Sequence, residues 1–173
     1  MRRPFALLGL ALALAACGDR DDPSTRELPA IQLPGTAVPY QAFPVGSTPS
    51  GVEWNSGFEA PVRLVIRDDA AWAEAWATLV KNYGAKLDRP AVDFSKDMLV
   101  LVGLGARPNT GYGVTIPSIT DQGSGLAVAV LERRPGRDCV VGPAMTFVVM
   151  AVRLAQDARP VTFVEYGYDH TCG

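Results

Sequence analysis

The amino-acid sequence predicts an α+β domain, predominantly antiparallel β-sheet or sandwich, with one amphipathic helix at about residues 69–83. Three observations lead there. One stretch carries bulky apolar residues at helical spacing, the later chain is a series of short β-rich runs, and the breaks between those runs are of hairpin length and hold Gly, Pro, Asn or Asp. With 173 residues, 48% of them hydrophobic, the chain suffices for one domain with a core rather than two.

At the start, Arg2 and Arg3 precede an apolar run from Phe5 to Leu14 and then small residues up to Cys17, which reads as a signal peptide over residues 1–16. Counted on to Ala16, this stretch is about 12 residues, shorter than the roughly 20 that a spanning helix needs, and no later segment is long enough either. Leu14-Ala15-Ala16-Cys17 resembles the bacterial lipobox, which implies cleavage before Cys17 and a diacylglyceryl group on its sulfur. Several acyl chains at one residue make a stable anchor. The resemblance to lipoprotein sorting signals, with Gly18 after the cysteine, implies the bacterial cell envelope and the outer membrane. Residues 17–38 are then expected as the lipidated cysteine and a polar tether spanning roughly 25 Å, and residues 39–173 as a single β-rich domain. Without Arg2 and Arg3 the basic count falls from 16 to about 14 against 18 acidic residues, which argues against nucleic-acid binding.

Within the domain, an edge strand is expected near Tyr40 to Val45, at the end of a Pro-rich stretch. Val62–Ile66 is β-rich and is followed by Asp68 and Asp69, both good helix N-caps. Trp72, Trp76, Leu79, Val80 and Tyr83 then share one helix face up to Gly84, and are read as core gripping a sheet. Strands follow over Met98–Leu104, Gly113–Ile119, Leu126–Arg133, Met145–Leu154 and Val161–Tyr166. Gly123-Ser124-Gly125 and Pro135-Gly136 supply turns suited to antiparallel hairpins, with Arg133, Arg134 and Arg137 around the second.

The chemistry-bearing patterns are sparse. There is no Gly-x-Ser-x-Gly elbow, no His-Glu-x-x-His helix and no phosphate loop, so no catalytic residue, metal or cofactor is assigned and a non-enzymatic protein is expected. The adjacent carboxylates Asp68 and Asp69 are explained as capping groups. Of three cysteines, assigning Cys17 to lipid leaves Cys139 and Cys172 to form a disulfide in an oxidising compartment. A Cys172–His170 nucleophile, or a metal held by Asp169 and His170, is the weaker alternative. The segment from Gly103 to Gly113 stands out. Its glycines permit positive φ and Pro108 stiffens it, so Arg107, Pro108, Asn109, Thr110, Gly111, Tyr112 and Gly113 are the expected partner-binding loop.

Asp93-Phe94-Ser95-Lys96-Asp97-Met98, the strand after it, and Arg107-Pro108 with Thr110-Gly111-Tyr112 resemble the PrcB C-terminal domain family. The likeness runs from Val92 to Leu154 and includes Thr146, with Asn109-Thr110 replacing the family's usual glycine-containing loop. That family is named for a lipoprotein subunit of a bacterial surface protease complex, which implies a non-catalytic accessory or stabilising role with a protein partner, a protease among the candidates. A shorter stretch, Arg107 to Tyr112, resembles the Asn-Pro-x-Thr-Gly-Tyr loop of chagasin-type cysteine-peptidase inhibitors, with further loops expected at Asp121–Gly125 and Arg134-Pro135. Direct peptidase inhibition is the alternative it implies.

Overall fold

Residues 97–107 are apolar on both faces, which only a strand covered on both sides can satisfy. In the computed structural model, which describes residues 30–45, 50–83 and 87–173, this is the arrangement found. In chain order the strands are β1 (Thr36–Ala37), β2 (Tyr40–Ala42), β3 (Val52–Glu53) and β4 (Val62–Ile66). Helix α1 (Asp69–Leu79) follows, then β5 (Asp97–Arg107), β6 (Gly113–Thr115), β7 (Ile119–Asp121), β8 (Leu126–Pro135), β9 (Thr146–Ala155) and β10 (Val161–His170). One sheet runs β2-β9-β5-β4, with β3 also on β9; the other runs β1-β7-β8-β10, with β6 also on β8. The expected sandwich with one helix is therefore present, mostly antiparallel.

Alternation along β5 builds two cores. Met98, Val100, Val102 and Leu104 face the second sheet and meet Val128 and Val130 of β8, whereas Leu99 and Leu101 face outward to the helix. There the Asp68 carboxylate caps α1 by accepting from the Ala71 N–H at 2.8 Å, and Trp72, Ala75, Trp76 and Leu79 are buried. Trp72 stacks edge-on with Phe43 and Trp76 and donates its indole N–H to the Pro90 carbonyl at 2.9 Å. The α-helix ends four residues short of the expected boundary, with a 3₁₀ turn over Val80–Asn82, because the Leu79 carbonyl accepts from the Gly57 N–H. Gly84 lies outside the described residues.

Several connections differ from expectation. The Gly123–Gly125 turn does close a hairpin, Asp121 opposite Leu126, but Pro135-Gly136 does not. Beyond it the chain crosses to the other sheet, runs back as β9, and crosses again, so β10 lies parallel to β8 from Val161↔Leu126 to His170↔Pro135. The expected strand 113–119 is two strands separated at Pro117, both antiparallel to β8. Residues 30–38, expected to be tether, are packed: Ile31 and Leu33 cover Ala127 and Ala129, and β1 pairs with β7. The two flanks of the sandwich are tied across by Tyr40 Oη donating to the Ile116 carbonyl at 2.6 Å and by Arg63 reaching Glu165 at 2.7 and 2.8 Å.

Candidate functional site

The loop expected to meet a partner begins at a kink in β5. The register against β9 shifts between Gly103 and Ala106, and Gly105 sits at φ +74°, where an added Cβ would press on the backbone of Ala60 and Pro61 at 2.8 Å. This glycine is the one position between 103 and 113 with positive φ; Gly111 and Gly113 need none. Past the bulge, Arg107 donates to Glu132 of β8 at 3.0 Å and to the Ala106 carbonyl, and its guanidinium lies 5.6 Å from the Tyr112 ring centre. Arg107 and Tyr112, both in the expected partner-binding loop, pair with each other and are half-buried, and Tyr112 leans on the inter-sheet core. Pro108 and Thr110 are the residues left exposed.

The rest of the loop is closed by hydrogen bonds. Asn109 Oδ1 accepts from the Gly111 N–H at 3.0 Å, an Asx turn, and the Asn109 carbonyl accepts from the Thr146 hydroxyl at 3.1 Å. Thr110 and Gly142 exchange two bonds: the Thr110 N–H donates to the Gly142 carbonyl at 3.1 Å, and Thr110 Oγ1 accepts from the Gly142 N–H at 2.9 Å. At Gly111 a Cβ would fall 2.6 Å from Pro135 and 2.7 Å from Val141, so glycine serves close packing here. Gly113 starts β6 beside the Arg133 guanidinium.

That packing makes residues 136–145 the other half of the surface. Cys139 is disulfide-bonded to Cys172, with Cα atoms 5.0 Å apart, which pins the C-terminus to this strap. Around it, the Gly136 N–H donates to the His170 carbonyl, and Asp138 Oδ2 accepts from the amides of Cys172 at 2.7 Å and Gly173 at 3.2 Å. The Cys172 amide, with Asp138's own, holds the Asp138 carboxyl below the usual carboxylate range. Val140 is fully exposed, Met145 is 64% exposed, and Trp54, whose carbonyl accepts from the Phe147 N–H, is 41% exposed. Sequence reading missed these three. The apolar Val140-Val141 after Cys139, in a stretch with no strand pairing, was the available signal.

Chemically, the candidate reactive groups are committed to partners within the fold. Both thiols are in the disulfide, which closes the Cys172–His170 nucleophile reading, and Asp169 bonds Arg134 at 3.0 Å. Asp68 caps the helix and Asp69 pairs with Arg89 at 2.7 Å, whose hydrogen bond lowers the Asp69 carboxyl. Arg133, Arg134 and Arg137 do not form a hairpin tip, since the chain leaves the sheet at Pro135. The expected companion loop at Asp121–Gly125 lies at the opposite end of β8, about 30 Å away by strand rise, so it cannot join Arg107–Gly113 in one wedge. Cys17 lies outside the described residues.

The class defined by this architecture is a two-sheet sandwich with one covering helix. The family model described as PrcB C-terminal matches residues 98–147, from β5 through the loop and strap to the start of β9, so that segment is similar to the PrcB C-terminal family. No curated protein and no solved structure matches the chain.

Proposed function

We propose that this chain is a lipid-anchored, non-catalytic envelope protein that binds or stabilises a protein partner, the partner belonging to a protease complex. The observation that carries the reading is the loop end: its backbone groups are tied internally, yet Trp54, Val140 and Met145 remain in water. Exposed apolar groups on a rigid frame suit recognition rather than bond-making. The PrcB resemblance supplies the partner class. The Cys17 anchor, expected at the outer membrane, keeps the domain near it. Crosslinking in cells from a photoreactive residue at position 140 tests this. The expected product is one discrete adduct containing a protease subunit, lost in Val140→Asp/Met145→Asp; an unchanged adduct pattern in that variant would overturn it. Fatty-acid labelling that persists in Cys17→Ser would remove the anchor. The inhibitor alternative requires several loops at one end, and the 121–125 turn is at the other; slowing of a papain-like enzyme by micromolar protein would revive it.

A further inference from the structure

β10 ends its sheet, and its free edge has a specific pattern. The Leu126 N–H donates to the Pro160 carbonyl and the Gly136 N–H to the His170 carbonyl, so the even-numbered residues of β10 direct their backbone groups at β8. In a parallel ladder the alternate residues point the other way. Val161, Phe163, Glu165, Gly167 and Asp169 therefore turn both N–H and C=O outward, and among the described residues no strand pairs with them. The usual protections of an edge are missing: β10 contains no Pro and no Lys. Its acids are neutralised on the same molecule, Glu165 by Arg63 at 2.7 Å and Asp169 by Arg134 at 3.0 Å.

We infer that the free edge of β10 pairs antiparallel with β10 of a second copy of this chain, about a two-fold axis at Tyr166. The hydrogen-bonding parity allows pairing only between odd residues. A centre at Glu165 would set two carboxylates side by side, whereas a centre at Tyr166 puts Glu165 opposite Gly167 and Phe163 opposite Asp169. On the outer face the same register places Tyr166 against Tyr166, Val164 against Tyr168 and Thr162 against His170. These aromatic and β-branched pairs are the kind that stabilise neighbouring strands. Tyr166, 38% exposed in one copy, becomes the centre of the joint.

The test uses the full chain carrying Cys17→Ser, so that no third thiol competes with the disulfide. Sedimentation equilibrium at micromolar concentration should give twice the chain mass. Tyr166→Lys, at an exposed position, should weaken the association about tenfold or more by setting like charges together. Tyr166→Cys should form a disulfide between copies under mild oxidation, since directly opposed residues of this type lie about 4.5 Å apart, within disulfide reach; Thr162→Cys alone should not. A monomer at all concentrations, a dimer untouched by Tyr166→Lys, or crosslinking through Thr162→Cys alone would each overturn the pairing. So would protection of the Phe163 and Glu165 amides from exchange only when envelope extract is added, which would make another protein's strand the occupant.

Discussion

The two ends of the sandwich are held by different means. At the end where β5 starts and β9 finishes, Arg159 bonds both oxygens of Asp121 at 2.9 and 2.8 Å, Asp157 at 2.6 Å and the Gly123 carbonyl, while Arg67 reaches the carbonyls of Asp157 and Arg159. Beside them Asp93, held down to about 2 chiefly by the Ser95 hydroxyl, shapes the turn into β5. The loop end is held by a disulfide, by close packing of Gly111 and by two Thr110–Gly142 hydrogen bonds, and it is where Trp54, Val140 and Met145 stand exposed. Charge networks close the first end. A covalent staple lets the other end keep apolar groups outside without collapsing around them, as the proposed contact requires.

The largest effect is expected from Gly105→Val, which puts a β-branched side chain at positive φ against the Ala60–Pro61 backbone. Loss of about 3 kcal/mol or more in urea unfolding is expected, with the loop end disordered first. Next, Cys139→Ser/Cys172→Ser opens a 33-residue separation, worth about 3–4 kcal/mol in the chain-entropy account. Hydrogen exchange should then accelerate at Thr110 and Gly142 while the Gln122 and Leu126 amides stay protected; equal acceleration at both ends would erase the contrast.

Acid should act the other way round. Arg159 hydrogen bonds lower the carboxyls of both Asp121 and Asp157 below their ordinary 3.8. A carboxylate depressed in the folded state contributes stability above about pH 4 and loses it as pH falls through the folded value. Between about pH 4 and 2, exchange at Gln122 and Leu126, held through two such carboxylates, should rise further than that at Thr110, where Asp138 also titrates but the disulfide does not. Arg159→Gln should abolish the difference. The smallest stability change belongs to Val140→Asp, within about 0.5 kcal/mol because the side chain touches little, although partner capture should fall.

Much of the fold was legible because it depends on local pattern. The β-rich runs that form β4, β5, β8 and β9, the Asp68 cap and the Trp72/Trp76 face each follow from residues close along the chain, and the structure places them accordingly. The Cys139–Cys172 bridge was legible by elimination. The site was only half legible. That Glu132, 25 positions on, lies 3.0 Å from the Arg107 guanidinium is not written in the sequence. Nor does it reveal that Val140 and Trp54 reach the same end of the molecule.

By itself, then, the sequence determined the long strands, where the helix begins, which thiols pair and which stretch resembles the PrcB family, because these rest on neighbours along the chain or on counting. Tertiary structure alone decided that β10 runs parallel to β8 with its far edge open, that Gly111 is glycine for Pro135 and Val141, and that the loop and the strap make one surface. Those outcomes depend on which sheet a chain enters after Pro135. That choice is set by burial of both faces of β5 against partners distant in sequence, a condition that no local window contains.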